Sequence, residues 1–474
     1  MSMTRRRFLR SAATALGSLL AAACDLPPPS TTPEETSGAA TPAPPRPQEQ
    51  APTKANPPRT VQVLVASPEW LKEHSSVLEP LAEDFTSRHP HLSVDWQPLP
   101  LTHDLDSPGF GQQIGQLHSA GLLFDVMQLS LDLTSHLFIG DAAVDLHPFV
   151  RSDKYVLSDY WPGAIAAMQW RQQLYGLHTE VRPTVIHCNE GLFAQAGLDV
   201  PTTTWTWPQL LAAAKQLTDR RQPQPIFGFA LDVQTLFFTL PWIWANGGAM
   251  LSADRSESLV AQPAAQEALQ WLRDLALIHE VTPREADLRK VGFGDLSALD
   301  VVGPFVDGRV AMLYAYWVSE RTVTQAPPGN SPQFGLAMVE PPRSASFLDQ
   351  GLGAYHLSKS ARVPGDAWRF LSWWTSAETQ RRFQAESDGF MAPPARRSLA
   401  GEFGDRYGAA TLAALAYARP LPLHPKWYDL VRAYDRGLLP VWKGEQSVAE
   451  ATAAIASEQN AILAAWRRKQ QGTP

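Results

Sequence analysis

Cysteine is nearly absent from this chain: 474 residues contain 2, Cys24 and Cys188. Two thiols build neither a disulfide scaffold nor a four-thiolate zinc site. Charge is sparse as well, at 18% of residues, and the net charge of −7 argues against a protein that grips nucleic acid by its phosphates. The catalytic signatures are missing too: there is no Gly-x-Ser-x-Gly elbow, no Gly-x4-Gly-Lys-Ser/Thr loop and no His-Glu-x-x-His. The close pair His89 and His91 falls in a loop between a helix and a strand, with no further ligands within reach, and reads as a solvated turn. Asp104/Asp106 and Glu83/Asp84 could in principle form a glycosidase pair. With 47 acidic residues, however, such pairs arise by chance. No enzyme activity, metal or cofactor is therefore expected.

What the chain does have is 16 tryptophans and 41 prolines. The prolines crowd the N-terminal region, whereas every tryptophan lies at or beyond Trp70. Thr4-Arg5-Arg6-Arg7-Phe8-Leu9-Arg10 is a basic segment with twin arginines. The apolar stretch behind it, residues 11–23, is too short to cross a bilayer core of about 30 Å. Together they resemble a twin-arginine export signal. Leu20-Ala21-Ala22-Ala23-Cys24 resembles a bacterial lipobox, which would make Cys24 the lipidated first residue after cleavage, although Ala21 stands where that box usually has Leu. An ordinary cleaved signal with an incidental Cys24 is the alternative. Removing the signal takes four arginines with it and moves the net charge from −7 to −11. Residues 25–59 form a Pro-rich spacer with too little apolar surface to order itself, long enough to hold a body tens of Å from a membrane. With Cys24 lipidated, Cys188 would be the one remaining thiol, which excludes an intramolecular disulfide.

From Thr60 the pattern changes to strands alternating with helices. Strands are expected at residues 61–66, 92–96, 122–129 and 185–188. A helix is expected over residues 71–88, kinked at Pro80 or beginning just before it. Thr206 should cap a helix ending near Thr218, and residues 263–279 carry a clean apolar stripe. Such alternation predicts an α/β body with largely parallel sheets, and about 415 residues are enough for two lobes. Aromatic residues gather where strands and loops should end: Trp70, Trp242, Trp244, Tyr314, Tyr316, Trp317, Tyr355, Trp427 and Tyr428. A flat ring suits the C–H face of a sugar, and nearby Asp, Glu, Asn and Arg can bind its hydroxyls. Trp205, Trp207, Trp271, Trp373 and Trp374, on or beside helices, read as core instead.

An ordered series of segments carries a family resemblance. It runs from Asp145-Leu-His-Pro-Phe149 through Leu174-Tyr-Gly-Leu-His178 to Leu192-Phe-Ala-Gln-Ala-Gly197, then Trp244-Ala-Asn-Gly-Gly248, Gly308-Arg-Val-Ala-Met312 and Gly335-Leu-Ala-Met-Val-Glu-Pro-Pro342. This series resembles the family 1 extracellular solute-binding proteins of ABC importers, the maltose-binding-like group. The resemblance implies a two-lobed type II α/β binding protein with a hinge, closing on a small-molecule solute, most simply a carbohydrate. It implies an N-lobe of residues 60–178 and 354–400 and a C-lobe of residues 179–353 and 401–474. The chain would cross between them near residues 176–181, near 351–355 and around Ala400. The ligand cleft would take Ser67, Trp70, Ser130, Glu180, Trp244, Asn246, Trp317 and Tyr355. Cys188 stands where the family commonly has Tyr, and Leu352 and Tyr355 interrupt its Gly-rich crossing; both departures bear on the substrate rather than the fold. The implied partners are the membrane subunits of an ABC permease and, through the lipid, the membrane itself, with the protein a monomer at the outer face of the cytoplasmic membrane or in the periplasm. Glycerol phosphates and polyamines remain alternative ligands. A tethered polysaccharide hydrolase and a sensor subunit remain alternative roles.

Overall fold

The computed structural model of the chain describes residues 59–65, 68–98, 124–129, 134–135, 142–201, 205–221, 223–284, 302–316, 336–349, 353–387, 392–402 and 408–471. The expected signal, the lipidation site and the spacer as far as residue 58, with Ser67, Ser130 and Trp317, lie outside these residues, while Arg59, expected to end the spacer, already belongs to a strand. Strand β1 (Arg59–Val65) is a Val/Leu-rich run whose inner positions are buried. It pairs in parallel with β2 (Leu92–Pro98) and with β3 (Val126–Leu129). Helix α1 (Pro68–Arg88) joins the first two, with Leu78, Leu81 and Phe85 turned into the core. It runs unbroken through Pro80, contrary to a start near that residue. Pro80 sits on the solvent face, where water satisfies the carbonyl its missing N–H leaves free.

Strand β6 (Leu177–His178) and β12 (Ala354–Leu357) complete the first sheet, in the order β2-β1-β3-β12-β6. The second sheet has the order β10-β7-β9-β8, with β11 also on β7. It is built from β7 (Arg182–Asn189), β8 (Ala230–Leu231), β9 (Met312–Tyr316), β10 (Leu336–Val339) and β11 (Leu348–Asp349). The remaining pair, β4 (Gln169–Trp170) and β5 (Gln173–Leu174), is a separate hairpin. The expectation of largely parallel sheets is corrected here: β7 is antiparallel to β9, β10 and β11, and β12 is antiparallel to β3 and β6. A strand that enters its sheet from the crossing runs opposite to strands that end there, which explains the mixed directions.

Helix α2 (Trp207–Leu217) begins where expected: Thr206 Oγ1 accepts from the Gln209 N–H at 3.3 Å, and the Gln209 side chain accepts from the Thr206 N–H at 2.8 Å. Helices α3 (Leu236–Ala245) and α4 (Pro263–Leu277) pack together, and Trp207, Trp271 and Trp242 stack between them at 4.6 and 5.1 Å. Helices α5 (Pro364–Trp374) and α6 (Ala377–Glu386) cover the first sheet. Helix α7 (Ala409–Tyr417) lies on β7 and β10, and α8 (Trp427–Lys443) pairs with α9 (Val448–Gln470).

Two short segments connect the two sheets, and a third runs beside them. Residues 178–182 leave the first for the second, and residues 349–354 return. The third passes at residues 392–396, a few positions before Ala400. They lie side by side: Thr179 N donates to Gly353 O at 2.9 Å, Val181 N to Pro393 O at 2.9 Å, and Ala395 N to Thr179 O at 3.1 Å. Arg396, only 6% exposed, anchors the third segment. Its guanidinium donates to Asp159, Tyr155 and Thr375 O and lies over the Tyr160 ring at 4.6 Å, so the buried charge is fully partnered.

Candidate functional site

The crossing is where polar side chains interrupt an apolar neighbourhood. Glu180, half-buried in the first segment, forms a backbone bridge to Pro394. Burial pushes its carboxyl up to about 7; Arg182 and the Ala392 N–H oppose the rise, and Asp349 adds to it. Two residues on, Arg182 opens β7 directly opposite Asp349 of β11, and the two form an ion pair. Burial works against that guanidinium charge, but Asp349 and then Glu180 hold it protonated. The same guanidinium lies 5.6 Å from the ring of Tyr316, the last residue of β9. Tyr316 in turn meets Phe238 at 4.8 Å and Phe347 at 5.9 Å, and Phe347 is stacked on Phe237 at 5.9 Å. Tyr316 and Phe237 are both half-buried.

A carboxyl, a guanidinium–carboxylate pair and half-buried aromatic rings therefore meet where the two sheets join. Such a set can accept and donate hydrogen bonds around a polyhydroxylated ring while an aromatic face takes its C–H side. Among the described residues no cluster of three His, Cys, Asp or Glu is placed to hold a metal.

The residues expected from the sequence fall into separate groups. Glu180 and Tyr355 are close enough to interact electrostatically across the crossing. Tyr355, however, is fully buried: its hydroxyl accepts from Gln128 Nε2 at 3.0 Å and its ring meets Trp374 at 5.7 Å. Trp70 belongs to the same aromatic cluster through Phe383, 6.2 Å away, and is half-buried against the stacked His74 ring. Trp244 and Asn246 lie at the end of α3. Trp244 is half-buried beneath the Arg419 guanidinium at 5.9 Å. The Asn246 side chain ties that end down, donating to Ala264 O at 2.9 Å and Glu267 at 3.0 Å and accepting from Arg343 at 3.3 Å. Strands β1 and β3 end at Val65 and Leu129, and Ser67 and Ser130 lie outside the described residues. Trp242, Tyr314 and Trp427, grouped in sequence with the accessible aromatics, are instead core residues at 0%, 0% and 1% exposure. Arg182, Asp349 and Phe237 were not expected at the site. A charged residue opening a strand with no other Asp, Glu, Lys or Arg was the available signal for Arg182; Asp349 had none, because only strand register brings it opposite.

Similarity to known proteins adds to this geometry. Residues 106–411 match the family model described as bacterial extracellular solute-binding protein. A search of curated proteins gives no match. Among solved structures, the sugar-binding protein MalE of Xanthomonas citri is 20% identical with a TM-score of 0.72, over 88% of this chain and 100% of that one. A solute-binding protein from Thermotoga lettingae, bound to α-D-tagatose, is 20% identical with a TM-score of 0.67, over 85% and 100%. A substrate-binding protein from Listeria monocytogenes, in complex with cycloalternan, is 19% identical with a TM-score of 0.65, over 88% and 99%.

Proposed function

The chain belongs to the bacterial extracellular solute-binding protein family, with the two-lobed type II α/β fold, and on that premise we propose that it captures a sugar or oligosaccharide between its lobes and delivers it to an ABC permease. The observation that carries this reading is the meeting of Glu180, the Arg182–Asp349 pair and the half-buried rings of Tyr316 and Phe237 at the chain crossings. The sugars held by the similar proteins of T. lettingae and L. monocytogenes support it. The lobes are residues 60–178 with 354–400 and residues 179–353 with 401–474. Ser67, Trp70, Ser130, Trp244, Asn246, Trp317 and Tyr355 complete the cleft or shape its walls as it closes.

The mechanism is capture without turnover, needing no cofactor. A ligand that touches both lobes only when they are closed shifts an open–closed equilibrium by its differential affinity. A micromolar site corresponds to about −8 kcal/mol, within reach of one or two stacked rings and several hydrogen bonds after ordering costs. A lipid on Cys24 and the Pro-rich spacer hold the monomeric trap near its permease after twin-arginine export, which raises its effective concentration there. No helix among the described residues is long and apolar enough to cross a membrane.

The test is the melting temperature of the purified protein against mono- and oligosaccharides, glycerol phosphates and polyamines. A ligand at 100 times its dissociation constant adds about 2.7 kcal/mol of stability. A sugar-specific shift that Trp317→Ala or Arg182→Met abolishes is expected. A shift with glycerol phosphates or polyamines alone would overturn the substrate class, and hydrolysis of any glycan would overturn capture without turnover.

A further inference from the structure

Away from the crossing, a groove of about 610 Å³ opens between the β4–β5 hairpin, the loop at residues 253–256 and the C-terminal helix α9. None of Glu180, Arg182, Tyr316 or Asp349 lines it. Its walls carry two half-buried indoles, Trp170 and Trp466, and three guanidinium groups, Arg171, Arg255 and Arg467. Arg171 lies over both rings, 5.7 Å from Trp170 and 5.6 Å from Trp466, and Arg255 lies 5.1 Å from Trp170.

The charge of this groove is unbalanced. Among the described residues none of the three arginines has a carboxylate partner, whereas Arg182 and Arg396 both do. Arg255 is the most costly case, because it is largely withdrawn from water and makes one hydrogen bond, to Leu423 O at 2.6 Å. The one acid in the lining, Asp254, is turned to its own loop and accepts from Ser252 at 2.6 Å and Ser256 at 2.8 Å. His424, buried between the arginines, is held neutral. Its Nδ1 accepts the Lys426 N–H at 2.9 Å, which leaves the ring proton on Nε2 as a donor.

The backbone also departs from relaxed geometry here. Arg171, Gln172 and Arg255 have φ of 48°, 64° and 58°, three of the seven described non-glycine residues with positive φ. Each such residue costs on the order of 1 kcal/mol and persists only where the surrounding structure holds it. Left-handed backbone thus sets both Arg171 at the hairpin tip and Arg255 in its loop against the same indole.

We propose that this groove is a second ligand site, for an anionic saccharide: a sugar ring bearing a carboxylate or a phosphate. The unpaired guanidinium groups supply the counter-charge to the anionic group. The two half-buried indoles line the groove beside these guanidinium groups and give it apolar wall, and the volume falls within the range of small-molecule sites. Occupancy gives the desolvated guanidinium of Arg255 a counter-charge, where among the described residues it has only the Leu423 carbonyl and the Trp170 ring. The site stands apart from the proposed capture of a sugar at the crossing and does not depend on it.

The test is calorimetric and fluorescence titration of the full chain with D-glucuronate, glucose 1-phosphate, glucose and inorganic phosphate. Binding of at least one of the two anionic sugars is expected, about tenfold or more tighter than glucose and than inorganic phosphate. Arg255→Met should weaken it by about tenfold or more, the loss of one charge-assisted contact. Trp466→Ala, on an exposed stretch of α9, should do the same and serves if the arginine variant does not fold. Neither substitution should alter a melting shift caused by a neutral sugar, which separates this site from the crossing. Absence of binding by both anionic sugars, or binding that survives both substitutions, overturns the proposal. Inorganic phosphate binding as tightly as glucose 1-phosphate overturns the saccharide assignment.

Discussion

Tyr314→Phe is a sharp probe of how the second sheet holds its side of the site. The ring is fully buried, and its hydroxyl donates to Ala345 O at 2.6 Å while meeting Thr184 Oγ1 at 2.7 Å. Thr184 Oγ1 also accepts from Phe347 N at 2.8 Å, so this small network clamps residues 345–347, which lead directly to Asp349, onto β7. Deleting the hydroxyl removes two hydrogen bonds worth about 1 kcal/mol each and leaves the buried Ala345 carbonyl without its donor, at about 1 kcal/mol or more. The total is about 3 kcal/mol, with no cavity term because the phenyl ring stays. Urea unfolding, followed by tryptophan fluorescence and circular dichroism and extrapolated linearly to water, measures it. Thr184→Val and the double variant complete a cycle, in which the shared Thr184–Tyr314 bond should appear as about 1 kcal/mol of coupling. A loss below about 1 kcal/mol for Tyr314→Phe, or strictly additive single variants, would refute the network as described.

Two further outcomes follow from particular contacts. The Glu180 carboxyl is raised from its ordinary 4.5 to about 7, so between those values the folded protein keeps a proton that the unfolded chain releases. Its contribution to stability is full below pH about 4.5 and lost as the pH rises through about 7. Glu180→Gln should therefore gain in melting temperature relative to the parent between pH 5 and pH 8, and a difference that is flat or falls with pH would contradict the assignment. At Gly228 an added Cβ would sit 1.9 Å from Ala214 O and 2.6 Å from its carbonyl carbon. Those are backbone atoms that no rotamer change can clear, so Gly228→Ala should cost about 3 kcal/mol or more in urea. Gly365→Ala, facing open space, is the control and should leave the urea midpoint essentially unmoved.

Much of the architecture could be read from short stretches of chain because its causes are local. The Thr206–Gln209 capping box, the apolar stripe of residues 263–277 and the dense aliphatics of β1 each rest on spacings of a few residues. Catalytic motifs were absent, and an ordered series of family-like segments pointed to a solute-binding fold. Accessibility of the aromatics was not legible in the same way. Trp242 and Trp244 are two residues apart on one helix, yet the first is fully buried and the second half-open, because α4 covers one face of α3 and not the other. Tyr314 and Tyr316 share a face of β9, and there the difference is depth: Tyr314 is sealed beneath residues 345–347, and Tyr316 ends the strand.

Composition and local periodicity by themselves pointed to the main elements, the Thr206 cap and the mixed α/β class. Tertiary structure alone decided strand direction and register, and with them the chemistry of the two candidate sites. Asp349 faces Arg182 because β11 pairs antiparallel with β7, and Trp466 meets Arg171 because α9 packs beside a hairpin almost three hundred residues earlier. Such pairings lie outside any local window. They arise when buried strands and helices satisfy their hydrogen bonds and apolar faces together, and only then do charges distant in sequence share a low-dielectric surface.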